Sequence, residues 1–394
     1  MSRFALVVIS AAATGLLTGC AASIRNAVPV GHAESVKIAG SGKVRGWGDV
    51  EIPDMEQLAA VRFGQIKQRR PELLANKKAQ ISYLAISGGG ADGAFGAGFL
   101  NGWTAAGNRP QFEVVTGVST GALIAPFAFL GRRYDYRLTE FYTKFSTDDL
   151  ITKQVLVGLL GGSSLSDTKP LAKLIAKYIT MAVLKEIASQ HESGRRLLVG
   201  TTNADQERPV VWDLGRIATQ RNRKALRLFR RVLLASTALP GLFPPVYVKV
   251  TDTDGKIYEE MHIDGGVTDN TFLLPPHLQM AKLDRTNKVR WRRKLYVIAN
   301  AKTTPMRKVV KATTFDIASR SIDTLIRQQL KGDLLKLYLR AKENKIAYQL
   351  ADIPATFDAQ SKEPFDRVYM KKLYDLGYQA ARNGYKWKSI PPDL

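Results

Sequence analysis

The chain passes from a short apolar run into a serine-containing turn at Phe112-Glu-Val-Val-Thr-Gly-Val-Ser-Thr-Gly121. The apolar run is typical of a buried strand, and the apolar residues 122–130 that follow are compatible with a helix. In a G-x-S-x-G turn between a strand and a helix, the flanking Gly117 and Gly121 permit a strained backbone that exposes the hydroxyl of Ser119. This context predicts a nucleophilic serine, although the pentapeptide alone would also fit a Gly/Ser turn without chemistry.

A glycine-rich segment lies upstream of this turn. It follows the strand candidate Ile81–Ser87 and reads Ser87-Gly-Gly-Gly-Ala-Asp-Gly-Ala-Phe-Gly-Ala-Gly98. Successive glycines let the backbone turn sharply and direct free N–H groups into one small volume beside a helix N-terminus, where a phosphate or an oxyanion is favoured. The residues up to Gly93 also satisfy the dinucleotide fingerprint G-x-G-x-x-G, whereas the absence of a following Gly-Lys-Ser/Thr excludes a P-loop.

The third motif is Asp264-Gly265-Gly266, directly after the strand candidate Ile257–Ile263. Alone, Asp-Gly is most simply a turn. Since a serine hydroxyl is a poor nucleophile until a neighbouring group takes its proton, Asp264 is the candidate base for Ser119.

The three motifs in this order resemble the patatin-like phospholipase family over roughly residues 81–280. The block Ala235-Ser-Thr-Ala-Leu-Pro-Gly-Leu-Phe-Pro-Pro245 is similar to an alanine- and proline-containing block of that family. The resemblance implies a serine lipid acyl hydrolase of the phospholipase A type that acts through an acyl-enzyme, with a Ser–Asp dyad and no catalytic histidine. Its site residues would be the nucleophile Ser119, the base Asp264, the oxyanion-hole glycines Gly88, Gly89 and Gly90, and the motif glycines Gly93, Gly117, Gly121, Gly265 and Gly266.

One position departs from the family pattern. The family often has Arg or Lys two residues after the third glycine, where this chain has Asp92. An acidic side chain there could not help to hold a phosphate, so the departure favours the broader label of lipid acyl hydrolase. Neither the motifs nor the resemblance implies a metal or an organic cofactor.

Strand candidates alternate with helical stretches along the chain, which predicts an α/β fold with a central, mostly parallel sheet. The resemblance makes this a three-layer α/β/α patatin-like fold with a helical C-terminal extension. The strand candidates are 81–87, 112–118, 196–202, 209–214, 246–251, 257–263 and 295–299. The long helical stretches are 169–187, 222–234, 315–342 and 365–383.

The N-terminal residues have the features of a secretory signal: Arg3, an apolar run over 4–17 and small residues before Cys20. The apolar run is too short to span a bilayer, which takes about 20 helical residues. Leu17-Thr-Gly-Cys20 resembles the lipobox of bacterial lipoproteins, which implies lipidation of Cys20, and Ala21 in place of Asp implies the outer membrane. A plain signal peptide with an incidental cysteine is the alternative.

We divide the chain into four parts. They are a lipoprotein signal peptide (1–20), a tether with an N-terminal helix that starts at Asp54 (21–80), a catalytic domain (81–280), and a last core strand with a helical extension (281–394). The tether spans residues 21 to about 53, where no hydrophobic period is sustained.

The protein has 394 residues and a net charge of +23, which favours an anionic partner. Because export disfavours nucleic acid, we expect a membrane-lipid substrate and an anionic phospholipid surface, with the basic runs 216–231 and 288–294 as candidate contacts. Both runs would also fit solvated helix faces and loops. A single cysteine excludes a disulfide framework and a multi-cysteine zinc site.

Three rival hypotheses stay open. A triad in the order Ser…Asp…His would need His277, and His262 lies close enough in sequence to Asp264 to tune its carboxylate; we expect both to be structural or surface residues. A dinucleotide-binding enzyme would need an acidic residue at the end of the second strand, whereas Glu113 lies near its start. A non-catalytic, membrane-anchored basic protein that binds anionic lipid is the third.

Overall fold

The structure is a computed structural model that describes residues 25–52, 54–153, 166–273, 278–305, 307, 309–392 and 394. The predicted signal peptide, with Cys20, lies outside these residues. The strands are β1 (Arg45–Trp47), β2 (Gln80–Ile86), β3 (Phe112–Val118), β4 (Thr152–Lys153), β5 (Ser166–Asp167), β6 (Arg196–Asn203), β7 (Arg208–Asp213), β8 (Val246–Thr251), β9 (Ile257–Asp264), β10 (Arg292–Ala299) and β11 (Ala347–Asp352).

Nine of these strands form one sheet, in which five central strands run parallel in the order β6-β3-β2-β10-β11. β7 and β9 pair antiparallel with β6, β1 extends the edge beyond β7, and β8 pairs with β9. Because β2, β3 and β10 are parallel neighbours, the loops that leave their carboxyl ends meet at one edge of the sheet.

Helices cover both faces of the sheet, so the predicted three-layer α/β fold is confirmed. They are α1 (Met55–Arg69), α2 (Pro71–Ala75), α3 (Gly93–Ala105), α4 (Thr120–Leu130), α5 (Asp135–Thr143), α6 (Thr147–Leu150), α7 (Lys169–Tyr178), α8 (Met181–Glu192), α9 (Leu214–Ala218), α10 (Arg223–Ser236), α11 (Met280–Thr286), α12 (Thr314–Glu343) and α13 (Arg367–Arg382). Side chains of β2 alternate between two cores: Leu84 and Ile86 face α3 and α4, while Tyr83 and Ala85 face α1 and α12. No helix of the described residues combines the length and apolar character needed to cross a bilayer.

The seven strand candidates correspond to β2, β3 and β6–β10, but the helix predicted over 169–187 is wrong. The structure has two helices there, α7 and α8. Thr180 is extended between them, and its side chain accepts a hydrogen bond from the N–H of Val183. Such an N-cap favours a new helix start over a continuous helix.

The predicted tether is also wrong for its described part, because residues 25–47 pack against the domain. Val36, Ile38 and Val44 are buried, and β1 pairs with β7. A strand at the edge of a sheet has unpaired N–H and C=O groups. This segment covers the edge of β7, which would otherwise be exposed. The helix predicted at Asp54 does begin at Met55, although the Asp54 carboxylate binds Lys43 and does not cap the helix.

The C-terminal part contains one more sheet strand than predicted. β11 lies parallel to β10, so the strand predicted at 295–299 is not the last one of the sheet. β11 has six residues between two long helices, and such a short run carries little periodic signal.

Helices α3 and α13 approach each other so closely that their contact needs glycine. A Cβ at Gly98 would collide with the carbonyl oxygen of Tyr374, one at Gly102 with that of Tyr378, and one at Gly377 with that of Phe95. The last helix is therefore packed directly onto the helix that follows the glycine-rich loop.

We predict that Gly98→Val lowers the melting temperature, because the new side chain must push α13 away, and overpacking of this kind costs about 1–3 kcal/mol or more. Thermal unfolding followed by circular dichroism measures the effect. Gly332→Ala is the control, since Gly332 is an exposed residue of α12 and no atom lies within 4 Å of its added Cβ. An unchanged melting temperature for Gly98→Val would show that this contact is not tight.

Candidate active site

Ser119 occupies a strained turn between β3 and α4. Its backbone has φ 54° and ψ −124°, a conformation that L-residues seldom adopt and that is held here by its surroundings. A Cβ at Gly117 would collide with the carbonyl of Gly121, and one at Gly121 with the carbonyl of Ile86. The two glycines that flank the serine are therefore required by the close approach of turn, helix and neighbouring strand.

Asp264, at the end of β9, meets Ser119 across 145 residues of sequence. The Ser119 hydroxyl donates to Asp264 Oδ2 over 2.6 Å, and the N–H of Gly266 donates to Oδ1 over 2.8 Å. A Cβ at Gly265 would approach the carbonyl oxygen of Gly200 to 2.6 Å, so the turn after the aspartate also needs a glycine. The carboxylate is thus fixed with one oxygen on the serine and the other on the backbone.

Burial raises the pKa of Asp264 to about 6, while the hydrogen bonds from Ser119 and Gly266 lower it. Desolvation disfavours the charged carboxylate and so makes it a stronger proton acceptor than an exposed aspartate. A carboxylate of this pKa can take a proton from a neighbouring hydroxyl near neutral pH.

The block 235–245 contacts the backbones of both Ser119 and Asp264. The Ser119 N–H donates to Ser236 Oγ over 2.9 Å, and Ser236 Oγ donates to the carbonyl of Gly200 over 2.6 Å. Two residues further on, the carbonyl of Ala238 accepts the N–H of Asp264 over 2.9 Å. The block therefore holds the backbones of both residues, a role that its sequence pattern did not reveal.

The glycine-rich loop lies against Ser119. Gly89 has φ 155° and Gly90 has φ 58°, and a Cβ at Gly89 would collide with the carbonyl of Asn300. Among the described residues, the N–H groups of Gly89 and Gly90 have no acceptor. A Cβ at Gly93 would collide with the side chain of Thr120, which keeps the loop close to the serine turn.

Gly88 differs from its two neighbours. Its N–H donates to the carbonyl of Asn270 over 3.1 Å, so this group is not free for an oxyanion, contrary to the sequence prediction. A Cβ at Gly88 would lie 3.1 Å from the Cβ of Ser119. Gly88 therefore allows close packing, and Gly89 and Gly90 are left as the candidate donors.

Asn270 links this loop to the C-terminal helix α12. Its N–H donates to Asp333 Oδ2 over 2.6 Å, and Asp333 is 1% exposed. Gln329 and Lys336 bind the other oxygen of Asp333. Asp333 is not among the residues predicted from the sequence, although it lies on the same helix face as the buried Leu330, Leu334 and Leu337, where a lone carboxylate indicates a structural partner.

Asp92 is also tied to the C-terminal region. Its Oδ1 accepts a hydrogen bond from the hydroxyl of Tyr369 in α13 over 2.6 Å. Burial raises the pKa of Asp92 to about 6, while Tyr369, Arg327 and Lys302 lower it. The acidic residue that departs from the family pattern is therefore held by an aromatic hydroxyl and lies within electrostatic reach of two basic side chains.

The other candidate residues have separate partners. His262 Nε2 lies 3.1 Å from Glu260 and Nδ1 lies 3.0 Å from the Thr201 hydroxyl, so His262 does not bind Asp264. Burial lowers the pKa of His262, which favours the neutral ring. Glu113 is held by two hydrogen bonds from Arg70, at 2.6 and 2.8 Å, and is not available for a ribose. His277 lies outside the described residues.

The apolar side chains after the serine turn belong mainly to the core. Ile124, Phe127 and Phe129 are buried, and Leu123 is partly buried against them. A cavity of about 260 Å³ lies at the other end of β3, where it is lined by Arg109, Phe112 and Arg195 among others but by none of the site residues. The cavity is therefore separate from the Ser119–Asp264 site.

Residues 84–277 match the family described as patatin-like phospholipase. The chain carries a patatin-like phospholipase domain. Its match lies within the predicted catalytic domain and includes the glycine-rich loop from Gly88, Ser119 and Asp264. This match supports a lipid-hydrolysing enzyme.

Solved structures show remote similarity to the chain. VipD from Legionella pneumophila is 14% identical over 78% of this chain and 67% of its own, with a TM-score of 0.33. Human GIVD cytosolic phospholipase A2 is 11% identical over 86% of this chain and 64% of its own, with a TM-score of 0.33. The chain thus spans about two thirds of the length of each. No curated protein sequence matches it.

We predict that Asp333→Ala lowers kcat for a water-soluble p-nitrophenyl ester with little change in KM. The substitution leaves the buried N–H of Asn270 without its acceptor, at a cost of about 1–3 kcal/mol, and loosens the contact with Gly88. Asp333→Asn keeps an oxygen acceptor and should retain most of kcat. Asp375→Ala, which removes a carboxylate paired with Lys371 on the surface, is the control. Folded Ala and Asn variants with equal kcat would contradict this role for Asp333.

Proposed function

We propose that the protein is a serine lipid acyl hydrolase that cleaves acyl esters of membrane lipids through Ser119, Asp264 and an acyl-enzyme. The observation that carries the proposal is the 2.6 Å hydrogen bond from the Ser119 hydroxyl, at a strained turn, to a buried carboxylate. The patatin-like domain supports a lipid substrate for this pair. The substrate bond is therefore a carboxylic ester.

In the first half of the reaction, Ser119 Oγ attacks the ester carbonyl while its proton passes to Asp264 Oδ2. The carbonyl π bond breaks and its electron pair becomes the oxyanion, which the N–H groups of Gly89 and Gly90 would bind. Each such donor is worth about 3–4 kcal/mol of transition-state stabilisation. Asp264 then returns its proton to the leaving alcohol as the ester C–O bond breaks, which leaves the acyl group on Ser119.

In the second half, water attacks the acyl-enzyme and gives a proton to Asp264. The bond between the acyl carbon and Ser119 Oγ breaks, the proton returns to Ser119, and a fatty acid is released. One carboxylate thus acts as base and then as acid in each half, as general acid–base catalysis requires. Because the Asp264 carboxylate binds Ser119 directly, the proposed cycle uses no histidine.

The cellular setting of the proposed enzyme follows from the sequence. We propose that residues 1–20 are a lipoprotein signal peptide and that acylated Cys20 anchors the protein, with the outer membrane as its site. Several acyl chains on one terminus hold a protein stably in a bilayer, whereas a single chain does not. The anchor would keep the catalytic domain, 81–280, beside its lipid substrate.

We predict that Ser119→Ala abolishes labelling by a fluorophosphonate and lowers ester hydrolysis by at least about 10⁴-fold, because the nucleophile is removed. Mass spectrometry of membrane lipids incubated with wild type or variant measures the fatty acid released. Ser189→Ala, an exposed serine on α8, is the control and should label fully. Wild-type protein that neither labels nor releases fatty acid would favour the alternative, a non-catalytic anchored protein that binds anionic lipid.

We predict that kcat/KM rises with pH through a midpoint near the Asp264 pKa of about 6 and then stays level. Below that pH the carboxyl is protonated and cannot accept the serine proton, so activity falls as pH falls. The profile is measured from initial rates with a p-nitrophenyl ester between pH 4 and 9, which extends about two to three pH units on each side of the expected midpoint. Asp264→Asn should remove the activity, whereas His277→Ala should keep most of it with the same midpoint. Loss in His277→Ala comparable to that in Ser119→Ala would overturn the dyad.

A further inference from the structure

The segment after β10 begins beside the glycine-rich loop. The side chain of Asn300 accepts the N–H of Gly96 over 3.0 Å and donates to the carbonyl of Ser87 over 2.9 Å. Residues 301–313 follow at once, and α12 then runs back past the site, where Gln329 donates to the carbonyl of Thr268 over 2.8 Å. The start of this segment and the middle of α12 therefore lie near the candidate active site.

Large apolar side chains are exposed along this stretch. Val309 is 87% exposed, Ile317 52% and Leu325 69%. Residues eight apart on a helix differ by about 80° in their direction around the axis, so Ile317 and Leu325 lie on one side of α12. The buried Leu330 and Leu334 lie on the opposite side. Exposed apolar side chains that follow one another along a surface stretch mark a place where the protein contacts something apolar.

The same stretch is basic. Residues 301–313 contain four lysines or arginines and no acidic residue, and the side chains of Arg307 and Lys311 are exposed. Cations mixed with exposed aliphatic side chains are the features of a surface that lies on anionic lipid, where the apolar groups enter the bilayer and the cations face the headgroups.

The basic runs expected from the sequence are less suited to this role. In the run 216–231, Arg230 donates to backbone carbonyls of Ala176 and Ile179, and Arg221 pairs with Glu192. In the run 288–294, Trp291 is buried against Phe63 and Arg293 pairs with Asp284. Other cations of both runs are exposed, but no large apolar side chain is exposed in either run, and the structure describes all residues of both.

We propose that Arg307, Val309, Lys311, Ile317 and Leu325 form a docking surface for an anionic phospholipid bilayer. These five residues lie on the stretch between Asn300, which binds the glycine-rich loop, and Gln329, which binds the loop after Asp264. Binding would therefore turn this side of the site toward the lipid–water interface. That consequence rests on the proposed function, whereas binding itself does not need catalysis. The docking surface lies beyond residue 277, where the family match ends, and so belongs to this chain's own C-terminal part.

Cys20 is the only cysteine of the chain, so a Cys20→Ala variant can carry one new cysteine for site-specific labelling. In the full chain with Cys20→Ala and Ser119→Ala, one new cysteine is introduced as Ile317→Cys, Leu325→Cys or, as control, Ile257→Cys, and is labelled with an environment-sensitive fluorophore. Ile257 is 55% exposed, which matches Ile317, but it lies at the start of β9, at the opposite end of that strand from Asp264. Vesicles of phosphatidylcholine alone, or of equal parts phosphatidylcholine and phosphatidylglycerol, carry a spin label in the acyl chains.

We expect quenching at positions 317 and 325 to exceed that at 257 by at least about threefold, and only on vesicles with phosphatidylglycerol. Adding Arg307→Glu and Lys311→Glu should remove the difference. Equal quenching at 257 and 317, or equal quenching on both vesicle types, would overturn the docking surface. A fluorescence change that depends on protein concentration without lipid would assign the surface to a second copy of the chain and overturn it too. Since Ser119→Ala is present throughout, each result is independent of the proposed chemistry.

Discussion

The hydrogen bond between Ser119 and Asp264 is the contact that most strongly constrains the path of the backbone in this fold. It brings an alcohol and a carboxylate from opposite halves of the domain to 2.6 Å, in a place where burial raises the pKa of the acid. Such a pair forms only if the backbone carries both groups to one edge of the sheet. The parallel arrangement of β2, β3 and β6, with β9 returning antiparallel to β6, meets that demand. The strain at Ser119 is sustained by glycines that allow neighbouring backbones to approach.

The part of the chain beyond the patatin-like match is built into the site. Asp333 of α12 holds the loop after Asp264, and that loop holds Gly88. Tyr369 of α13 holds Asp92, at the start of α3. Two carboxylates thus connect the C-terminal helices with the loops that surround the serine. The C-terminal part is therefore a support for the site as well as a cover for the sheet.

The sequence predicted the local elements of this site better than its long-range connections. G-x-S-x-G after a strand and Asp-Gly-Gly after another are local patterns, and both motifs lie where a strand ends. The occupied N–H of Gly88 depends on Asn270, 182 residues away, and no local pattern reports such a pairing. The same reason explains the misread tether: residues 36–44 have no period of their own, and they are ordered by contacts with β7 and β8, which lie far along the chain. The break at Thr180 was readable in principle, since Thr before a helical stretch is an N-cap signal.

The glycine contact between α3 and α13 has a consequence for the order in which the molecule is assembled. α3 continues directly from the glycine-rich loop, yet its outer side is completed by residues 367–382, which the ribosome adds more than 260 residues later. Until those residues pack onto α3, Asp92 lacks its hydrogen bond from Tyr369, and the face of α3 that carries Gly98 and Gly102 is not covered. A nascent chain that already contains both Ser119 and Asp264 therefore still lacks the support of its loop. The candidate active site is thus complete only after residues 367–382 have been synthesised and have packed onto α3.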